Sequence, residues 1–171
     1  MRYLTAGESH GEILIGIVEG FPAGHRVNIP AIEQDLARRR NAYGRSARQK
    51  LETDEVKILS GLWKNRTTGA PIAVAIANRG RSVAGKPGGA LGSVPRPGHA
   101  DLAGCLKYGF DETPPISERA SARETAMRVA IGSMAKQVLR LFAVDIVGHV
   151  VSLGAIEAVA STNTLGALKR R

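Results

Sequence analysis

The sequence predicts an α+β fold in which antiparallel strands pack against one long helix, and three observations predict it. Short β-favouring runs recur through the first half of the chain with turn residues between them, a spacing that suits tight connections rather than crossover helices. One long segment, from Glu118 to Phe142, carries apolar residues at helical spacing. The length, 171 residues, fits a single domain over 1–171. A chain of that size buries roughly 70% of the surface it would expose unfolded, enough for a real core.

Tyr3 to Thr5 and Ile13 to Val18 read as two strands flanking the polar loop Gly7-Glu8-Ser9-His10-Gly11. Phe21-Pro22-Ala23-Gly24 is turn chemistry, and Pro30 opens a helix through Ile32 and Leu36 to Arg40. Val56 to Leu62 and Ile72 to Ala77 are two further strands, with Thr67-Thr68-Gly69-Ala70-Pro71 turning between them. Residues 79–98 are rich in Gly and Pro without periodicity, which predicts a long surface loop, and loops of this length are usually functional or disordered. His99 to Tyr108 is a short helix, and Pro114-Pro115 interrupts the chain again. Along 118–142 the apolar stripe is Ala120, Met127, Ile131, Met134, Val138 and Leu141. Asp145 to Ile156, rich in Val and Ile, is expected as a strand, and the tail from Ser161 is polar.

Composition excludes several classes. Hydrophobic residues are 43% and charged residues 23%, close to the globular average, so wholesale disorder is not expected. No apolar run reaches the ~18 residues of a membrane span, and Met1 to His10 lacks a signal-peptide pattern. A lone cysteine, Cys105, leaves neither a disulfide framework nor a Cys-based zinc site, and no metal is expected. The expected compartment is the cytoplasm. Aromatics at 4% give little for base stacking. The excess of Lys and Arg, 24 against 15 acids for a net +9, points to an anionic partner.

Four segments could carry chemistry. Arg38-Arg39-Arg40, Arg45, Arg48 and Lys50 place cations without an intervening acid where a helix runs into a loop. Arginine forks hold carboxylate or phosphate by paired hydrogen bonds, although a solvated basic helix end accounts for the same residues. Ser9-His10 lies between glycines that let a ligand approach closely, and a histidine there could move protons near neutral pH; an exposed loop histidine is the plainer reading. Arg96-Pro97-Gly98-His99-Ala100-Asp101 is a rigid turn feeding a helix, with Asp101 as its expected cap and His99 toward a pocket. Arg119-Ala120-Ser121-Ala122-Arg123-Glu124-Thr125 combines small residues, hydroxyls and two arginines on one helical face, suited to an anion or to water. The glycines from Gly85 to Gly92 contain no Walker loop, and no Gly-x-Ser-x-Gly elbow exists.

Taken in order, these segments resemble the chorismate synthase family. The resemblance rests on Thr5-Ala6-Gly7-Glu8-Ser9-His10-Gly11 leading to Gly20-Phe21-Pro22, Arg38-Arg39-Arg40 with Gly44-Arg45, and Lys57-Ile58-Leu59-Ser60-Gly61. It continues through Thr67-Thr68-Gly69-Ala70-Pro71-Ile72, Arg96-Pro97-Gly98-His99-Ala100-Asp101 and Glu118-Arg119-Ala120-Ser121-Ala122-Arg123-Glu124-Thr125, most of residues 3–155.

What the resemblance implies is a lyase of the shikimate pathway, in aromatic amino acid biosynthesis. It would form chorismate from 5-enolpyruvylshikimate 3-phosphate by a 1,4-anti elimination of phosphate, with reduced FMN as cofactor and NADPH as a source of electrons for the flavin. By the same resemblance the fold is part of a β-α-β sandwich and the assembly a homotetramer. Arg39, Arg45, Arg48 and Arg123 would meet the substrate's anions, with Arg39 and Arg45 also matching positions assigned to NADP. His10 would protonate the departing phosphate and His99 the reduced flavin, while Arg119, Ala120 and Ser121 would contact FMN. Family members continue into a C-terminal half that supplies more of the flavin site and an aspartate for proton abstraction, so the chain corresponds to the N-terminal half. Against the enzyme stand a half-enzyme or non-catalytic remnant that binds anions or FMN, and a small basic RNA-binding protein suggested by the charge. Neither nucleic acid nor membrane is the expected partner.

Overall fold

The computed structural model describes residues 1–41, 53–79 and 94–157. In chain order the strands of the first half are β1 (Arg2–Ala6) and β2 (Ile13–Glu19), then helix α1 (Ile29–Arg40), β3 (Val56–Ile58), β4 (Leu62–Trp63), β5 (Arg66–Thr67) and β6 (Ile72–Ala77). Helices follow: α2 (Asp101–Tyr108), α3 (Pro114–Arg119), a 3₁₀ turn at Ala122–Glu124, α4 (Thr125–Arg140), and a last hairpin of β7 (Ser152–Leu153) and β8 (Ile156–Glu157).

The main sheet has four strands in the order β1-β2-β6-β3, all antiparallel, with Ala6 opposite Ile15 and Leu14 opposite Ile76. Strict alternation sends Leu14, Gly16 and Val18 of β2 to one face and Ile13 and Ile17 to the other. The inner face carries α1 and α4. The core is Leu14, Val18, Ile32, Leu36, Ile72, Val74, Ile76, Met127, Ala130, Ile131 and Met134. Gly16 is required by this packing: a Cβ there would lie 2.7 Å from Met127 Sδ and 2.8 Å from Ile131 Cδ1. Lys136 reaches Asp35 at 3.1 Å and ties α4 to α1. Asn28 caps α1 by accepting the Ala31 N–H at 3.1 Å, and Arg38, Arg39 and Arg40 end it where the helix dipole favours cations. Between β4 and β5, Lys64 and Asn65 both take positive φ, 46° and 60°, as a two-residue hairpin with right-handed strand twist requires.

The class is therefore α+β, with an antiparallel sheet and a long packed helix, and three bounds differ from expectation. The helix expected over 118–142 runs over Thr125–Arg140. Its first turns are separate pieces, because Ser121 leaves helical geometry (ψ 148°) and its hydroxyl accepts the Arg123 N–H, starting a new turn. The strand expected over Asp145–Ile156 is reduced to the small β7–β8 hairpin, since no other described strand offers it a partner and β preference is largely packing on a neighbour. The strand from Val56 stops at Ile58, and the chain turns at Gly61 (φ +84°) before β4. Of the loop expected over 79–98, Arg79 and 94–98 are in neither strand nor α-helix, and 80–93 lie outside the described residues, as does the polar tail. Among the described residues no helix is long and apolar enough to cross a membrane.

Candidate functional site

His10 sits in the loop from β1 to β2, and that loop is fastened from two sides. Below it, Asn78 at the end of β6 donates from Nδ2 to the Glu8 carbonyl (3.1 Å) and the Gly11 carbonyl (2.8 Å), and its N–H reaches Glu12 O at 3.0 Å. Beside it lies α3. The Ser9 N–H donates to the Glu118 carbonyl (3.1 Å), while the Glu118 carboxylate accepts the His10 N–H at 2.7 Å and faces His10 Nδ1 at 2.7 Å. The His10 ring is partly exposed and Ser9 is buried.

The next residue of α3 continues the clamp. Arg119 donates to the Thr5 carbonyl (2.6 Å) and hydroxyl (2.8 Å), and the Thr5 hydroxyl donates to Glu124 at 2.6 Å. Glu124 also accepts from Arg128 Nε at 2.8 Å. Burial opposes its charge, but the Thr5 hydroxyl and Arg128 outweigh that and hold its carboxyl below the ordinary value; Glu124 in turn raises Arg128. Arg119 keeps part of its side chain exposed, 39%, while its Nη1 faces Glu124 Oε1 at 3.7 Å. Ala120 follows as the exposed end of α3, and the Ser121 hydroxyl, accepting from Arg123, keeps its own proton to donate.

His99 belongs to a second cluster. Asp101 was expected to cap α2, but the cap position is Ala100, without a side-chain bond; Asp101 occupies the first helical turn and is turned inward. Its carboxylate accepts Arg96 N–H (3.1 Å), Arg96 Nε (2.9 Å) and Arg96 Nη2 (3.2 Å), and meets His99 Nδ1 at 2.5 Å. A carboxylate so surrounded favours the Arg96 turn over the helix N–H groups. The Arg96 hydrogen bonds hold the Asp101 carboxyl well below the usual carboxylate range, and Asp101 raises Arg96. Gly104 lets α2 lie against α3, its Cα facing Ile116 so closely that a Cβ would collide with the Ile116 side chain.

The arginines split. Arg39 and Arg123 are largely buried and converge with Arg40 on Asp54, itself buried just before β3. Arg123 pairs with Asp54, donates to Asn78 Oδ1 at 2.7 Å and to the Ala77 carbonyl at 3.3 Å. Arg39 donates to the Thr125 hydroxyl (3.0 Å) and the Ala122 carbonyl (2.7 Å). Arg45 and Arg48 lie outside the described residues. Asp54, Asn78 and the carboxylate of Glu118 are the members that sequence reasoning missed. Two of them had a visible signal: Asn78 is a polar residue closing an apolar strand, and Asp54 is an acid soon after a run of cations.

Two carboxylate-paired histidines on loops and arginines gathered at helix ends, all carried on a sheet-and-helix layer, define an α+β protein with two histidine–carboxylate clusters. Comparison with known proteins narrows this. The family model described as chorismate synthase matches residues 1–170. Chorismate synthase of Caldicellulosiruptor saccharolyticus is 49% identical over 164 residues, covering 91% of this chain and 43% of the relative. That of Symbiobacterium thermophilum is 49% identical over 172 residues, covering 92% and 44%. A crystal structure of chorismate synthase superposes with a TM-score of 0.71 at 39% identity, over 95% of this chain and 40% of that one. The chain belongs to the chorismate synthase family, and it spans less than half the length of these relatives.

Proposed function

We propose that the chain supplies the N-terminal part of a phosphate-lyase site that converts 5-enolpyruvylshikimate 3-phosphate to chorismate. The observation that supports this is the clamp made by α3: Glu118 holds His10 at its backbone and its ring and Arg119 ties down Thr5 of the preceding strand, while Arg96 and Asp101 hold His99. Each of the two proton-carrying side chains is held by a carboxylate, His10 by Glu118 and His99 by Asp101, with Arg119 following the first and Arg96 touching the second, as an elimination from a substrate with three anionic groups needs.

In this proposal His10, in its protonated form, gives a proton from Nε2 to a phosphate oxygen as the carbon–oxygen bond breaks and the phosphate leaves with the bonding electrons, while the ring-carbon proton goes to a base in the C-terminal part of the enzyme and its C–H pair completes the new diene. Arg45 and Arg48 hold substrate anions directly. Arg39 and Arg123 serve the same anions by holding the pocket around Asp54, since both are already engaged inside the fold. Arg119 and Ser121 suit the polar edge of a flavin: one is a partly exposed cation and the other keeps a hydroxyl proton, with the small, exposed Ala120 between them allowing close approach. Reduced FMN held by these residues would lend electron density to the elimination without net redox change. His99 would hold a proton near that flavin, with Asp101 behind it, and Arg45 is the proposed NADP contact, with Arg39 bracing the end of α1 from inside the fold. A homotetramer, a cytoplasmic location and one domain over 1–171 complete the proposal.

A half-enzyme or binding remnant is the second reading, favoured by the fraction of the relatives' length that the chain spans. The RNA-binding reading loses ground because Arg39, Arg40 and Arg123 face one buried acid rather than forming an exposed stripe. The deciding assay mixes the chain anaerobically with reduced FMN and 5-enolpyruvylshikimate 3-phosphate and follows chorismate by absorbance. Turnover once the C-terminal part of a chorismate synthase is added to the chain is the expected outcome, and His10→Ala is expected to lower it by about 10²–10⁴-fold. FMN binding by a folded chain without product supports the second reading instead.

A further inference from the structure

Glu118 makes contacts that a general helix residue does not need. One carboxylate oxygen accepts the backbone N–H of His10 at 2.7 Å, and the other faces Nδ1 of the same residue at 2.7 Å. Its own backbone carbonyl takes the N–H of Ser9 at 3.1 Å. The histidine is thus held at both its main chain and its ring by one side chain, across 108 positions of sequence. An ionised carboxylate accepts and cannot donate, so the proton between Glu118 and the ring belongs to Nδ1. Among the described residues the second ring nitrogen, Nε2, has no hydrogen-bond partner. A carboxylate behind one nitrogen settles which face of the ring the other presents.

We infer that Glu118 is a positioning residue: it fixes His10 in the Nδ1–H tautomer and leaves Nε2 as the atom that exchanges a proton with the ligand. The inference rests on the proposed role of His10 for its functional half, while the tautomer itself is a property of the fold. The proton balance closes on the same atoms. The imidazolium carries a proton on each nitrogen; Nε2 releases one to the phosphate oxygen, and the neutral ring that remains is the Nδ1–H form that Glu118 already accepts from. No proton passes to Glu118.

The amide variant gives a sharp test. In Glu118→Gln one oxygen and one NH₂ must serve two sites. The backbone N–H of His10 can only donate, so it claims the amide oxygen. The NH₂ then faces Nδ1, which becomes an acceptor, and the ring proton moves to Nε2. The experiment labels the chain with ¹⁵N-histidine and reads the protonated nitrogen of His10 from its ring shifts, in the chain as it is and in Glu118→Gln. His99, bound to Asp101, is an internal reference for an intact fold. Expected are Nδ1–H in the parent, Nε2–H in the variant, and His99 unchanged. An Nε2–H ring in the parent, or an unchanged His10 tautomer in a variant whose His99 signal is intact, overturns the inference. If Glu118→Gln does not fold, the parent spectrum still decides.

The kinetic arm uses the chorismate assay. Inverting the tautomer is expected to lower kcat by roughly 10²-fold, near the lower end of what a positioned acid contributes, with KM moved by less than about threefold because ground-state contacts are intact. An inverted tautomer with unchanged kcat overturns the positioning role and leaves the family function standing. A parent chain with no turnover counts against the proposed function, and the ring spectra then judge Glu118 by themselves.

Discussion

Asp101 shows how much one side chain can change the reading of a motif. Its place after His99 and before an apolar helix suggested a cap, yet the carboxylate is taken by Arg96 and His99 instead. Because its folded-state pKa is depressed relative to an ordinary unfolded carboxyl near 3.9, its stabilising contribution is fully present above about pH 5. That contribution is lost as acid carries the pH down toward the folded-state value. Replacing Asp101 with Asn is expected to cost about 1–3 kcal/mol at neutral pH, with the gap from the parent narrowing below about pH 4. Urea unfolding at a series of pH values measures this, and a gap that stays constant down to pH 3 would contradict it. The candidate residues themselves were legible: His10, His99 and the arginines all stood out in their motifs. Their partners did not, because Glu118 lies 108 positions from His10 and Arg123 lies 69 from Asp54, distances that no local pattern spans.

Elements with strong internal signals were readable from sequence almost to the residue. β6 occupies Ile72–Ala77 as expected, and α1 ends at Arg40. The failures share a cause: a period or propensity continues through a break that tertiary contacts impose. The stripe along 118–142 carried no mark of the corner at Ser121, since serine is tolerated within helices and the corner is held by Thr5 and Glu124 from elsewhere. That corner aims α3, and α3 is located by α2 through Gly104 against Ile116. Gly104→Ala should therefore push α3 outward at a cost of roughly 1–3 kcal/mol, the range of core overpacking. Adding Ile116→Ala should restore part of the lost Tm, because it removes the side chain that the new methyl meets. Thermal melts of the two single variants and the pair decide it; strictly additive losses would show that the helices meet some other way.

For the molecule as a whole, the apolar surface lies where the helix pattern did not place it. The stripe of α4 is covered by the sheet and α1, so its length exposes little. What remains outside is the far face of the sheet, with Leu4, Ile13 and Ile17 exposed, and the segment after α4, where Leu141 and Phe142 are 70% and 73% exposed. Apolar area on this scale marks interfaces. Self-association is the expected behaviour of the isolated chain, and a sedimentation run showing a monomer with no hydrophobic-dye binding would refute it. The buried grouping of Asp54, Arg123 and Asn78 has a consequence for how the fold assembles. Arg123 lies 69 positions from Asp54 and 45 from Asn78, and leaving a guanidinium dry before both arrive is costly. The three are expected to close together once β3, which follows Asp54, has paired with β6, which precedes Asn78. Because Asn78 also carries the carbonyls of Glu8 and Gly11, the loop of His10 takes its shape in that same late event. The chain cannot pass through a state with a finished site on an unfinished core.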